Sequence, residues 1–246
     1  REGLANVTSG SDRIRVAVRA FRVHVDQTHL HGAVLLLEVP VAAVALVAEP
    51  LGLGAPVDVL LGGEHTITAG AVRAVKERVP GLSVLQLDAH ADLRDRYAGS
   101  KFNHACTMNW ARQWCPVVQV GIRAVDGPEM PLLDQERVFY AHQICHPSGS
   151  SNWIERVVDL LTDKVYLTID VDCFDSSVVP ATGTPEPGGL DWYQVDALLE
   201  KVAKQREVVG FDVVELLPTP GQWASEFLAA KLVYFFLGQI FAHRAV

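Results

Sequence analysis

The apolar run Leu82–Leu87 is followed at once by Asp88, His90 and Asp92. Side chains of an extended chain alternate between two faces, so these three polar groups project to one side at the end of a buried strand. Two carboxylates and an imidazole crowded on one face are costly to keep ionised and dry without a nearby positive charge. The segment therefore predicts a divalent metal site.

Length and composition fit one large globular domain, because 246 residues with 49% hydrophobic content allow an ample core. The net charge of -8 argues against a nucleic-acid surface. The most apolar stretch, residues 33–48, is broken by Glu38 and Pro40, which argues against a membrane span. The chain starts at Arg1 without a Met, so we expect an incomplete N-terminus.

The four cysteines are expected to be reduced thiols, because none lies in CxxC or zinc-ribbon spacing. They are Cys106, Cys115, Cys145 and Cys173. This cysteine usage predicts a cytoplasmic protein.

Strands and helices alternate along the chain from residue 40 onward. The predicted strands are 57–61, 82–88, 117–122, 137–140, 165–170 and 208–214. The predicted helices are 41–51, 66–79, 105–114, 153–161, 191–204 with Asp191 as N-cap, and 223–241. This alternation predicts an α/β fold with a mainly parallel sheet. Residues 1–32 fit either helix or strand, and their histidines (His24, His29 and His31) are expected in a surface loop.

Three further polar segments follow predicted strands, where ligands collect in folds of this class. Gly62-Gly63-Glu64-His65 makes a tight turn after one strand, and Asp170 and Asp172 share a face after another. The loop 180–189, rich in Pro and Gly, suits a pocket wall. Glu215 follows the strand that begins near residue 208.

The charges of these groups indicate how many metal ions they hold. The candidate ligands are four carboxylates and two neutral imidazoles: Asp88, Asp92, Asp170, Asp172, His65 and His90. Two divalent ions balance four carboxylates, whereas one ion leaves a surplus of two negative charges. A set without thiolate suits manganese or a similar ion better than structural zinc.

These motifs resemble those of the ureohydrolases, the family of arginase and agmatinase. The resemblance covers about residues 57–238 and rests on the segments 62–65, 88–92, 170–189 and 211–215. It implies a single domain over 1–246 with a three-layer α/β/α architecture and a sheet of about eight strands. It also implies a homotrimer or homohexamer that takes a small guanidino substrate and binds neither nucleic acid nor membrane.

The resemblance also implies two Mn²⁺ ions per subunit. One matches the ligands His65, Asp88, Asp92 and Asp170, and the other matches Asp88, His90, Asp170 and Asp172, with Asp88 and Asp170 bridging.

Catalytic roles follow from the same resemblance. A metal-bridging hydroxide attacks the guanidinium carbon and is steadied by a hydrogen bond to Asp92. Glu215 receives the guanidinium. His104 passes a proton to the leaving amine.

The residues after Asp92 favour agmatine as substrate, with urea and putrescine as products of a polyamine-forming reaction. Arg94 stands where arginase-like members have Asn, and Asp95 or Glu186 are candidates for binding the tail ammonium. Glu64 replaces the more common Asp, and Asn103-His104-Ala105 departs from Ser-His-Gly. The alternatives are an arginase or guanidinobutyrase, a zinc deacetylase-type amidohydrolase, and a non-catalytic relative.

Overall fold

The computed structural model describes residues 3–7, 14–21, 43–50, 57–146, 149 and 151–244, with the backbone alone in the first three ranges. The strands are β1 Gly3–Val7, β2 Ile14–Phe21, β3 Ala43–Pro50, β4 Val57–Leu61, β5 Leu82–Leu87, β6 Val117–Ile122, β7 Val138–Tyr140, β8 Lys164–Asp170 and β9 Glu207–Val214. They form one sheet in the order β1-β2-β3-β4-β9-β8-β5-β6-β7. The strands from β4 to β7 in that order run parallel, which confirms the predicted mainly parallel sheet.

Helices cover both faces of this parallel sheet. They are α1 Ile67–Arg78, α2 Thr107–Ala111, α3 Ala141–Cys145, α4 Trp153–Leu160, α5 Trp192–Gln205 and α6 Ala224–Arg244. Val72 of α1 and Met108 of α2 pack with Val84 in one apolar cluster. Helices α4, α5 and α6 pack with Leu85 and Leu87 in a second cluster. Successive β5 residues thus enter opposite clusters, as a strand's period of two requires, and the predicted three layers are confirmed.

The N-terminal strands differ from the sequence prediction. Each of the first three strands, β1 to β3, pairs antiparallel with the next one along the chain. The described parts of residues 1–32 are therefore strands. The predicted helix over 41–51 is wrong, because β3 pairs with β4 in the register Val44↔Leu61. A short apolar run has no periodicity that separates a buried helix from a strand, and pairing decides between them. His24, His29 and His31 lie outside the described residues.

The C-terminal half follows the sequence prediction closely. Asp191 caps α5: its side chain accepts a 2.8 Å hydrogen bond from Gln194 N, and the Gln194 side chain accepts one of 2.9 Å from Asp191 N. Helix α6 is long and apolar enough to cross a membrane by length and composition alone. Its inner face, however, buries Leu232, Phe236 and Ile240 in the second apolar cluster, which identifies α6 as a core helix.

Candidate metal centre

Four neighbouring strands, β4, β9, β8 and β5, carry the four polar segments predicted from the sequence. β4 leads through two glycines to His65, β9 leads to Glu215, β8 ends at Asp170, and β5 leads to Asp88. Because neighbouring parallel strands end at the same edge of a sheet, all four segments meet in one cleft. Sheet order, which no single segment encodes, brings the predicted ligands together.

The first group of ligands surrounds the Nδ1 atom of His65. Nδ1 lies 3.2 Å from Asp88 Oδ2, 3.0 Å from Asp92 Oδ2 and 3.5 Å from Asp170 Oδ2. All four residues are buried. Asp92 adopts a positive φ of 54°, a strained conformation that aims its carboxylate into this group.

The second group surrounds His90. Its Nδ1 lies 2.9 Å from Asp172 Oδ2 and 3.6 Å from Asp88 Oδ1. Asp88 therefore belongs to both groups, with one carboxylate oxygen toward each imidazole. Asp170, the other carboxylate expected to bridge, lies on the His65 side, and its Oδ1 accepts a 2.9 Å bond from Asp172 N. Two adjacent ligand groups that share a carboxylate can hold a pair of divalent ions.

The hydrogen bonds behind His65 test whether this donor set fits a metal. Thr168 Oγ1 donates to buried Asp212 over 2.6 Å, so its oxygen is left to accept from His65 Nε2 at 2.8 Å. That arrangement leaves a lone pair on Nδ1, which is buried and makes no hydrogen bond within the described part of the chain. A lone pair that faces three carboxylates calls for a cation, and the residues present therefore fit a divalent metal.

The pKa values of these groups are shifted in the direction that an excess of buried negative charge requires. Burial, followed by the charge of Asp88, raises the pKa of Asp92 to about 7. Burial and the neighbouring Asp172 and Asp88 hold the pKa of Asp170 well above its usual range. Burial acts to lower the pKa of His90, but hydrogen bonds to Asp172 and Asp88 outweigh it and raise that pKa to about 11. The cluster therefore carries an excess of buried negative charge that a bound cation would compensate.

Buried amides hold the shared carboxylate in place. Gln86 Nε2 donates to Asp88 Oδ2 over 2.7 Å, and Gln119 Nε2 donates to Gln86 Oε1 over 2.6 Å. The backbone N–H of His90 donates to Asp88 Oδ1 over 2.6 Å, and that of Ala89 donates to Asp172 Oδ1 over 2.9 Å. Partners of this kind orient ligands before a metal arrives. Neither glutamine was predicted from the sequence, although Gln86 lies in β5 only two residues before Asp88.

Glu215 and His104 lie beside the ligand groups. Glu215 has a positive φ of 63°, and its Oε1 accepts a 2.6 Å hydrogen bond from His65 N. Burial raises the pKa of Glu215. His104 begins a 3₁₀ turn, His104–Cys106, that precedes the short α2, so the predicted helix over 105–114 is split in two. A hydrogen bond to Glu64 raises the pKa of His104.

A cavity of about 730 Å³ opens above these groups. Arg94 lines it, with its guanidinium 3.3 Å from Asp126 Oδ2, 3.8 Å from Glu129 Oε2 and 4.8 Å from the centre of the Tyr97 ring. Glu186 also lines the cavity. Asp95 lies outside the lining and pairs instead with Lys101 at 3.1 Å, which removes it as a candidate for contact with a substrate tail.

Arg123 is a third residue of the site that the sequence patterns did not predict. Its guanidinium donates to the carbonyls of Asp172 and Glu186 over 2.8 Å each, and to those of Gly121, Phe174 and Pro187 over 3.1–3.2 Å. It thereby fastens the ligand turn at Asp172 to the wall formed by loop 180–189.

All four cysteines are free thiols, and only Cys145 among them is exposed.

Known proteins share this arrangement of sequence and fold. Residues 9–238 match the model of the arginase family. The chain is 40% identical over 185 residues to the N(1)-aminopropylagmatine ureohydrolase of Synechocystis sp., which covers 73% of this chain and 60% of that protein. It is 35% identical over 181 residues to the agmatinase of Pyrococcus horikoshii, covering 73% of this chain and 62% of that protein.

A solved structure supports the same assignment. The agmatine ureohydrolase of Thermoplasma volcanium superposes with a TM-score of 0.65 at 35% identity, covering 74% of this chain and 61% of that one. The chain thus spans about three fifths of the length of these relatives. The match over residues 9–238 and the identities to ureohydrolases show that this chain belongs to the arginase family.

Proposed function

We propose that this protein hydrolyses the guanidino group of agmatine to urea and putrescine, with two divalent metal ions bound at the centre. One observation carries this proposal: two ligand groups share Asp88 and lie beneath a cavity that Glu215 and His104 also line. An amidohydrolase with one metal ion would leave the second ligand group without a role.

Six residues would hold the metal ions: His65, Asp88, His90, Asp92, Asp170 and Asp172. Their carboxylate and imidazole donors suit Mn²⁺ or a similar ion. When bound, a pair of divalent ions acidifies water and so supplies a hydrolytic nucleophile at neutral pH.

Glu215 would bind the guanidinium. Its Oε1 is held by His65 N at 2.6 Å, which leaves Oε2 for a hydrogen bond to the substrate. A charge-assisted bond between a carboxylate and a guanidinium contributes about 1.5–3 kcal/mol. A bound cation would also lower the raised pKa of this buried carboxyl and keep it ionised.

Asp92 and His104 would manage the protons. Asp92 accepts a hydrogen bond from the attacking water and orients it toward the guanidinium carbon. The water oxygen bonds to that carbon, the bond from carbon to the alkyl nitrogen breaks, and His104 delivers a proton to the departing nitrogen. The water oxygen loses both of its protons as it becomes the carbonyl oxygen of urea. The departing nitrogen gains two protons and leaves as an alkylammonium ion: one proton comes from His104, and the other comes from the water by way of Asp92. The second water proton passes to solvent, from which His104 is protonated again.

The cavity supports a substrate with a cationic tail. Asp126 and Glu129 pair with Arg94, so its charge is already compensated and offers little to a substrate carboxylate. Glu186 adds a further negative charge to the lining.

N(1)-aminopropylagmatine is a second candidate substrate. The relative from Thermus thermophilus, named for hydrolysis of that compound, is 42% identical over 183 residues. A cavity of about 730 Å³ is of a size that encloses ligands longer than agmatine.

Competing substrates test the proposal. We would measure kcat/KM for urea release from agmatine, N(1)-aminopropylagmatine, arginine and 4-guanidinobutyrate with Mn²⁺-loaded protein. We expect either amine-tailed substrate to exceed both carboxylate-bearing ones by at least about tenfold, the equivalent of 1.4 kcal/mol. A preference for arginine or guanidinobutyrate would overturn the assignment of substrate.

A further inference from the structure

Glu64 makes two hydrogen bonds to one residue, His104, through a single oxygen. Oε1 accepts from the backbone N of His104 over 2.8 Å and lies 2.7 Å from its ring Nδ1. The first bond holds the chain at His104 and the second fixes the rotation of its ring. With Nδ1 donating to a carboxylate, proton exchange is left to Nε2.

His104 lies on a short turn that needs such support. The 3₁₀ turn His104–Cys106 has three residues, and Asn103 caps it by accepting from Ala105 N at 3.2 Å. The ring of Tyr97 packs 5.6 Å from the ring of His104 at an angle of 55°. The side chain of His104 is 43% exposed, so packing alone restrains its ring weakly.

The position of Glu64 couples this support to the metal centre. Glu64 directly precedes His65, and its side chain crosses to a residue 40 positions later. Glu64, His104 and Glu215 offer atoms that all lie within 4.8 Å of one another, at the wall of the cavity. One turn after β4 therefore fixes a metal ligand and also the histidine that faces the same cavity.

We propose that Glu64 is the positioning residue for His104, holding its ring so that Nε2 delivers the proton to the leaving amine. This role rests on the function proposed above. Glutamate at this position supplies an arm long enough to reach both the backbone and the ring of His104. Because the contact uses one oxygen, an amide oxygen in the same place can accept both bonds.

The test compares three substitutions of Glu64. Glu64→Ala should lower kcat about 10- to 100-fold, the usual effect of losing an orienting partner, with KM within about threefold of wild type. Glu64→Gln, which retains the oxygen, should recover most of the lost kcat. Glu64→Asp, whose arm is one methylene shorter, should recover less than Gln. Glu77→Gln on the exposed face of α1 is the matched control and should behave as wild type.

A double-mutant cycle separates positioning of His104 from general damage. In the His104→Ala background, Glu64→Ala should cause no further loss of kcat. An equal loss of kcat in both backgrounds, or loss of bound Mn²⁺ in Glu64→Ala, would overturn the proposal because Glu64 would then act through another group.

A measurement that needs no turnover completes the test. In ¹⁵N-histidine NMR spectra of the metal-free protein, recorded at a pH at which the ring is neutral, His104 should carry its proton on Nδ1 in the wild type and lose that preference in Glu64→Ala. An unchanged His104 signal would overturn the positioning role. Failure of the wild type to release urea would instead overturn the proposed function, whatever the NMR spectra show.

Discussion

Arg123 Nη2 donates a 2.8 Å hydrogen bond to the backbone carbonyl of Asp172, a proposed metal ligand. The same nitrogen reaches the carbonyl of Glu186 in the cavity wall. A planar guanidinium can satisfy several carbonyls at once, whereas an ammonium presents a single point of attachment. The stiffness of the ligand turn thus depends on a side chain from another strand end.

Arg123→Lys should weaken metal binding, because the turn at Asp172 loses most of its anchors while the charge is kept. We expect the dissociation constant of one Mn²⁺ ion to rise about tenfold, at the low end for partners of metal ligands. Titration of metal-free protein with Mn²⁺ measures it. Arg96→Lys, on an exposed turn where Arg96 bonds Gly99 O, is the control. Equal affinity in Arg123→Lys and wild type would contradict the anchoring role.

His90→Ala and Glu215→Gln should separate metal binding from substrate binding. His90 lies 2.9 Å from Asp172, so its removal should abolish the binding of one metal ion or weaken that binding by more than about tenfold. Glu215→Gln should leave both ions bound and lower kcat/KM about 10- to 100-fold, the loss of a charge-assisted bond. Metal analysis with steady-state kinetics distinguishes the two. Equal loss of metal from both variants would contradict the assigned roles.

Metal affinity should rise with pH. Metal binds the deprotonated ligands, whereas burial and the charge of Asp88 raise the pKa of Asp92 to about 7 and carboxylate partners raise that of His90 to about 11. Mn²⁺ must therefore displace protons at neutral pH, and fewer remain to be displaced as the pH increases above 7. Calorimetric titrations in buffers of different ionisation enthalpy measure this release. Mn²⁺ affinity that falls between pH 7 and 9, or Mn²⁺ binding without proton release, would contradict the expectation that the metal displaces protons from its ligands.

Gly189→Ala should destabilise the fold, because an added Cβ would come within 2.5 Å of the Asp175 backbone N and the Phe174 carbonyl carbon. The expected loss is about 1–3 kcal/mol, as for other overpacked sites. Gly183→Ala in the same loop meets nothing within 4 Å and should change stability by no more than about 0.5 kcal/mol. Thermal unfolding compares the two. Matching unfolding temperatures for both variants would contradict this expectation, because they would show that the loop accommodates a Cβ at residue 189.

The ligands could be predicted from sequence because each lies at or just beyond the end of an apolar strand. Alternation along an extended chain does not account for Asp92, because its backbone has a positive φ of 54°. Parallel strands then bring such segments to one edge. The segment 41–51 could not be assigned by the same reasoning, because strand pairing rather than periodicity decides it. Arg123 was missed for another reason. Its acceptors are backbone carbonyls from Gly121 to Pro187, and no pattern of residue types marks a carbonyl.

Glu64 and His104 were each noted in the sequence, but the contact between them was not predicted. Each residue stood out in the sequence, Glu64 as a replacement for Asp and His104 as a proton donor, but their contact crosses 40 residues. It depends on the turn after β4 meeting the 3₁₀ turn at His104–Cys106. Long-range contacts of this kind follow from the fold, and sequence spacing alone does not predict them.

Urea release from agmatine and N(1)-aminopropylagmatine, measured while metal-free protein is titrated with Mn²⁺, tests the dinuclear mechanism most directly. Two ligand groups that share Asp88 predict that urea release increases until two equivalents of Mn²⁺ are bound per chain and then levels off. Full activity at one bound equivalent, or no urea from either substrate with both ions bound, would contradict it.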